Sequence, residues 1–143
     1  MDKQILNKFK TVLKKEQLKL TKQRLAVLAN MIKSKGHREC DEIYDQLKSN
    51  GENVSRATVY RTVAILEKYG FLRKLELGDG RARYEYKLGL DHHDHMVCIE
   101  CGQIIEFVNS EIELLQDKIC IDMNFKLVRH IHQLFGVCEI CQN

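Results

Sequence analysis

The chain has 143 residues, no proline, 44% hydrophobic and 30% charged residues, a balance ordinary for a globular protein and suited to one large domain or two small ones. No apolar run is long enough to span a membrane, and the charged N-terminus lacks a signal-peptide core, so the chain is expected in the cytoplasm with its six cysteines reduced. The net charge of +3 hides a division: residues 1–86 carry 19 Lys and Arg against 11 Asp and Glu, whereas residues 87–143 carry 4 against 9. Such asymmetry points to a half that faces nucleic acid and a half with another task.

Taken in chain order, the basic half begins with amphipathic helices. Ile5, Phe9, Val12 and Leu13 share one helical face, with lysines elsewhere. Thr21 is placed to cap a second helix, Leu20 and Leu25 to staple it, and Leu25, Leu28 and Ile32 to form its buried stripe before Gly36. A third helix carries Ile43 and Leu47 and stops at Asn50-Gly51. A fourth runs from its cap Ser55 to Gly70, with Val54 and Val59 as a staple and Val59, Val63 and Leu66 on the apolar face. Its other face carries Ala57, Arg61, Ala64 and Lys68, with Tyr60 at the edge. Two small alanines beside Arg, Lys and Tyr allow close approach to base edges and phosphates, as a recognition helix in a major groove requires. Leu75 and Leu77 then alternate with charged residues, Gly78-Asp79-Gly80 turns the chain, and Arg81 to Tyr86 returns as a hairpin. Helices followed by a basic-tipped hairpin describe a winged helix.

The acidic half holds five of the six histidines and five of the six cysteines. Residues 91–101 read DHHDHMVCIEC, and a second C-x-x-C, Cys138 and Cys141, closes the chain. Cys98, Cys101, Cys138 and Cys141 fit a closed tetrahedral zinc site, whereas Cys40 and Cys120 lack paired spacing and are expected to be buried as small hydrophobes. On a strand His93 and His95 point one way and His92 and Asp94 the other, so one short segment could serve two sites. Residues 96–99 and 104–108 read as short strands around the cysteine knuckle, Ile112, Leu115 and Ile119 as a helix, and the alternation of residues 125–132 as a further strand. Ser110 and Glu113 form a capping-box pattern for that helix, which competes with any ligand role for Glu113.

At this point the residues resemble the ferric uptake regulator (Fur) family of bacterial metal-dependent repressors, over nearly the whole chain. The marks are ATVYR at 57–61, GDGRARYE at 78–85, HHDH at 92–95, C-x-x-C-G at 98–102, IIEF at 104–107 and the final C-x-x-C. The resemblance implies an α+β homodimer. Each subunit would have an N-terminal winged helix-turn-helix domain over 1–88, a hinge near 88–91, and a small α/β dimerisation domain over 89–143. It implies structural zinc on the four cysteines and a regulatory metal on His37, Glu85, His93, His95 and Glu106. A third site would use His92, Asp94, Glu113 and His130, with His132 left to the surface. Tyr60 and Arg61 would enter the groove of double-stranded operator DNA within the Ala57 and Thr58 motif, with Lys19 matching a minor-groove lysine and Arg24 supporting the backbone. Three imidazoles and two carboxylates accept iron(II), manganese(II), cobalt(II) or zinc(II); the subfamily pattern implies iron(II).

Three other classes share some of these features. A peroxide sensor on the same scaffold would favour aspartates where this chain has Glu85 and Glu106. A zinc enzyme needs an open coordination position and a positioned base, and the deaminase P-C-x-x-C signature is absent from a chain without proline. A zinc-ribbon interaction module would not bind DNA. The expectation is therefore a regulator with no enzymatic activity, no small-molecule substrate and no membrane partner.

Overall fold

The computed structural model describes residues 1–89 and 91–143, in two compact units, Met1–Leu90 and Asp91–Asn143. Residue 90, within the expected hinge, lies outside the described residues.

The first unit is built on four capped helices, α1 (Lys3–Lys15), α2 (Lys22–Lys33), α3 (Cys40–Ser49) and α4 (Arg56–Lys68). Asp2 begins α1 by accepting from the Gln4 N–H at 2.9 Å. Thr21 begins α2 through the Arg24 N–H at 3.2 Å, and Ser55 begins α4 through the Thr58 N–H at 3.1 Å. A reciprocal box of Glu39 and Glu42 caps α3. These side chains satisfy amides that the first helical turn leaves without partners. Phe9, Val12 and Leu13 of α1 and Val59, Val63 and Leu66 of α4 are buried as their spacing predicts, and Val54 is buried beside α4 as the other half of its staple. On α2 the buried stripe is Val27, Leu28 and Met31, with Leu25 and Ile32 only half-buried. The helix is thus rotated from the expected setting, because buried Asn30 also faces inward, accepting from the Arg38 guanidinium at 2.7 Å. Each large side chain buried here contributes about 1.5–3 kcal/mol relative to exposure.

After α4 the chain forms an antiparallel hairpin, β1 (Leu72–Glu76) and β2 (Ala82–Tyr86), in the register Leu72↔Tyr86 to Glu76↔Ala82. At its tip Asp79 accepts from the Arg81 N–H at 3.0 Å and from Arg83 at 2.9 Å, and this pairing with Arg83 holds its carboxyl below the usual range. Gly78 and Gly80 take positive φ, which lets the tip turn so tightly. Arg38, just before α3, exchanges two backbone hydrogen bonds with Tyr84, 3.0 and 2.8 Å. That bridge locks the hairpin to the helices, and Phe71 at its root packs edge-on against Phe9 with ring centroids 6.1 Å apart. The arrangement is a winged helix-turn-helix.

The second unit is a three-stranded sheet with one helix, giving an α+β chain. Strand β3 (Asp94–Cys98) is central, β4 (Ile104–Phe107) pairs with it antiparallel, and β5 (Gln133–Gly136) pairs with its other edge in parallel. Helix α5 (Ser110–Asp122) forms part of the crossover between β4 and β5. Three expectations are corrected. Strand β3 starts at Asp94 rather than at residue 96. Residues 125–132 form no strand despite their alternation; the segment paired with β3 follows them, because alternation marks two faces but a strand also needs a hydrogen-bonding neighbour. The cap of α5 is Asn109, which accepts from the Glu111 and Ile112 N–H groups at 2.9 and 3.2 Å, so Ser110 is already helical. No residue of α5 is buried.

Candidate metal centres and nucleic-acid interface

The parallel pairing of β3 and β5 assembles the cysteines. Cys98 ends β3 opposite Gly136, so the knuckle that follows β3 and the turn that follows β5 meet at one end of the sheet. Gly102 closes the first turn at φ +77°, and its N–H donates to the Cys98 carbonyl at 3.0 Å. The four sulfur atoms lie within 4.8 Å of one another. Zinc–sulfur bonds of about 2.3 Å in a tetrahedron place sulfurs about 3.8 Å apart, and Cys101 Sγ is 3.7 Å from Cys138 Sγ. Backbone N–H groups of Cys101 and Cys138 donate to Cys98 Sγ and bring its thiol down to about 6, while Cys138 and the other thiols push Cys141 up to about 12. Four thiolates this close need a cation, and the donor set fits structural zinc. Cys40 stands apart in the first unit, buried, its thiol pushed up to about 11 by desolvation; Cys120 is half-buried on α5 and belongs to none of these groups.

A second group in the same unit lies on one side of β3. Asp94, 2% exposed, has Oδ1 3.1 Å from His92 Nε2 and 3.3 Å from His130 Nε2. Glu113 Oε1 is 3.5 Å from each of the same two nitrogens. Because Asn109 is the cap, Glu113 is released from the capping box and faces the imidazoles instead. Asp94 Oδ2 and Glu113 Oε1 are buried without a hydrogen-bond donor. Two converging carboxylates, each with an orphaned oxygen, and two imidazoles fit a divalent cation. His132 is half-buried rather than at the surface, with Nδ1 3.9 Å from Asp94 Oδ2 and its ring edge-on to Phe107. Gln116, which the sequence reading passed over, contacts Nδ1 of His130 at 3.0 Å; its place one turn beyond Glu113 was the available signal.

The remaining candidate ligands form two sets, one in each unit. In the second unit His95 stands opposite Glu106 across β3 and β4, His93 Nε2 is 3.4 Å from Glu106 Oε1, and the His93 and His95 rings are 4.9 Å apart. In the first unit His37 Nε2 is 3.0 Å from Glu85 Oε2, and both side chains are buried from solvent. Arg73, directly across the hairpin, approaches Glu85 Oε1 at 3.4 Å, so Glu85 pairs with an arginine and with His37 together.

The exposed face of α4 presents Ala57, Tyr60, Arg61, Ala64 and Lys68, with Thr58 half-buried beside its cap. Asp41 of α3, which the sequence reading did not single out, accepts from the Tyr60 hydroxyl at 3.0 Å and also pairs with Arg56. This bond raises the Tyr60 phenol above its ordinary value. Arg24 donates to the Lys19 carbonyl at 2.5 Å and so fixes the loop that carries Lys19. Thr21, Gln23, Arg24, Asn53, Ser55 and Thr58 line a shallow cleft at the N-termini of α2 and α4, where helix dipoles favour anions.

A winged helix with a basic recognition face, joined in one chain to a unit crowded with thiols, imidazoles and carboxylates, defines a metal-binding protein of the DNA-reading class. The ferric uptake regulator family model matches residues 15–135. The ferric uptake regulation protein of Neisseria gonorrhoeae is 39% identical over 140 residues, covering 96% of each chain. That of Campylobacter upsaliensis is 40% identical over 141 residues, covering 97% of this chain and 90% of the relative. Among solved structures, the Helicobacter pylori ferric uptake regulator, described as having three functional metal binding sites, superposes with a TM-score of 0.88 at 36% identity, covering 98% of this chain and 93% of that one. The chain belongs to the ferric uptake regulator family, whose members are metal-dependent DNA-binding transcription regulators and not enzymes. No helix among the described residues is long and apolar enough to cross a membrane.

Proposed function

We propose that this chain is an iron(II)-responsive transcriptional regulator, mainly a repressor of metal-uptake genes, acting in the cytoplasm as a homodimer on double-stranded operator DNA. The observation that carries the reading is the grouping of His93, His95 and Glu106 in one unit and of His37 and Glu85 in the other. Nitrogen and oxygen donors without thiolate suit a divalent first-row metal that is bound and released, in contrast to the four-cysteine group.

Residues 1–88 would be the DNA-binding domain and 89–143 the dimerisation domain. Cys98, Cys101, Cys138 and Cys141 would hold structural zinc and join the two ends of the second domain. His37, Glu85, His93, His95 and Glu106 would hold the regulatory ion together, and the ion supplies a cross-link between the domains when bound. His92, Asp94, Glu113 and His130 would hold a third ion within the second domain. Tyr60 and Arg61, with Ala57 and Thr58 leaving room beside them, would contact base edges and phosphates, Lys19 would reach the minor groove, and Arg24 would keep the Lys19 loop in place. In a dimer the relative orientation of the domains sets the spacing of two α4 helices, and half-site spacing is geometric. Ligands drawn from both domains therefore select one state of a hinged ensemble, and by linkage operator DNA tightens the hold on the ion by the same factor.

Dimerisation is supported by what α5 leaves uncovered. Leu114 is 68% exposed, Leu115 61% and Ile119 63%, an apolar surface that a stable soluble domain covers with a partner. Elemental analysis of the purified protein, paired with operator affinity across iron(II), manganese(II) and zinc(II), tests the reading. Strongest activation by iron(II) supports it; activation by manganese(II) or zinc(II) alone would reassign the protein to sensing that metal on the same scaffold.

A further inference from the structure

Gln116 follows Glu113 by three residues on α5, so their side chains leave the same side of the helix. Its amide nitrogen is 3.0 Å from His130 Nδ1, while Nε2 of the same ring faces Asp94 Oδ1 at 3.3 Å and Glu113 Oε1 at 3.5 Å. The two ring nitrogens therefore have separate partners. An ionised carboxylate only accepts, so in the ion-free protein Nε2 carries the ring proton and donates to Asp94. Nδ1 is then a lone pair, and it accepts from the Gln116 N–H. Binding a cation at His130 Nε2 needs the other tautomer, with the lone pair on Nε2 and the proton on Nδ1, which must find an acceptor. A primary amide meets both demands, since a half-turn about its last bond exchanges the N–H face for the carbonyl.

We propose that Gln116 is a positioning residue for the His92, Asp94, Glu113 and His130 cluster, setting which nitrogen of His130 is available to a divalent cation. The inference rests on reading that cluster as a metal site. A ligand histidine is ordinarily oriented by an acceptor on its second nitrogen, and Gln116 stands at that nitrogen of His130. A glutamine in place of the usual carboxylate or carbonyl leaves the ring free to take either tautomer.

The test uses the dimer of this chain with its cysteine zinc retained and zinc(II) as the probe. Chelator competition measures affinity, and long-range ¹⁵N–¹H correlation on ¹⁵N-histidine protein reads the His130 tautomer. Gln116→Leu should weaken the ion by about 10- to 100-fold, the range for lost second-nitrogen partners, with the melting temperature nearly unchanged. Gln116→Glu should hold His130 as the Nδ1–H tautomer before any ion is added and bind at least as tightly as the wild type. Asp94→Ala reports on the site itself and should bind one zinc(II) fewer than the wild type. An unchanged stoichiometry in Asp94→Ala would remove the metal site and the proposal with it. Loss of the ion in Asp94→Ala, with Gln116→Leu unaltered in affinity and Gln116→Glu unaltered in tautomer, would leave the site standing and overturn the role of Gln116.

Discussion

Asp94 and His95 are neighbours in β3 and serve opposite faces of its sheet. Asp94 turns to His92 and His130, which also face Glu113, while His95 turns to His93 and stands opposite Glu106. Both are buried, 2% and 4% exposed. Strand alternation thus divides one run of donors between two groups with no insertion between them. The groups should be separable by mutation. Asp94→Ala is expected to remove the ion held with His92, Glu113 and His130 while the cysteine zinc stays at one per subunit and iron(II)-dependent operator binding persists. Metal counting on the purified variant, with a gel-shift titration, checks this.

The thiols of the cysteine group should ionise one by one, with Cys98 first. Its thiol is brought down from an ordinary value near 9 to about 6 by N–H donors from Cys101 and Cys138. The depressed value means that the thiolate persists through neutral pH and is lost as pH falls through about 6. In the zinc-stripped protein the ultraviolet absorbance of thiolate should rise in a first step centred near pH 6, and the Cys98→Ser variant should lack that step. A first step near pH 9 instead would show that Cys98 keeps an ordinary thiol and that the backbone donors do not act on it.

The two faces of α4 should respond differently to substitution. Arg61 is exposed, and Arg61→Ala is expected to cost about 1–3 kcal/mol of operator binding, about 10- to 100-fold in affinity, with little change in stability. Leu66 is fully buried, and Leu66→Ala should cost about 2–5 kcal/mol of folding stability. Denaturation and operator titration on the same two proteins separate the effects.

The exposed apolar surface of α5 should be the place where charge breaks the dimer. Leu115→Asp, with Leu115 at 61% exposure, should yield a monomer by light scattering whose winged helix still melts cooperatively. A variant that stays dimeric would move the interface to another surface.

What was legible in the sequence was whatever obeys local rules. The caps at Thr21 and Ser55 and the buried run of Val59, Val63 and Leu66 depend on a few neighbouring residues, and they formed where expected. The four cysteines were legible because paired spacing is chemical shorthand. Failures came where a second segment decides. Residues 125–132 alternate like a strand, but the edge of β3 is taken by Gln133–Gly136. Ser110 and Glu113 spell a capping box, but Asn109 one residue earlier accepts both amides and frees Glu113. Asp41 and Gln116 escaped notice because each acts across a gap in sequence: 19 residues to Tyr60 and 14 to His130.

The central claim is that residues of both domains share one ion and so set the DNA-binding shape. Operator affinity measured by fluorescence anisotropy against iron(II), for the wild type and for His93→Ala with its cysteine zinc intact, tests it most directly. The account predicts that the wild type tightens at least tenfold with iron(II), while His93→Ala remains a folded dimer whose affinity stays flat. An equal response to iron(II) in the two proteins would contradict it.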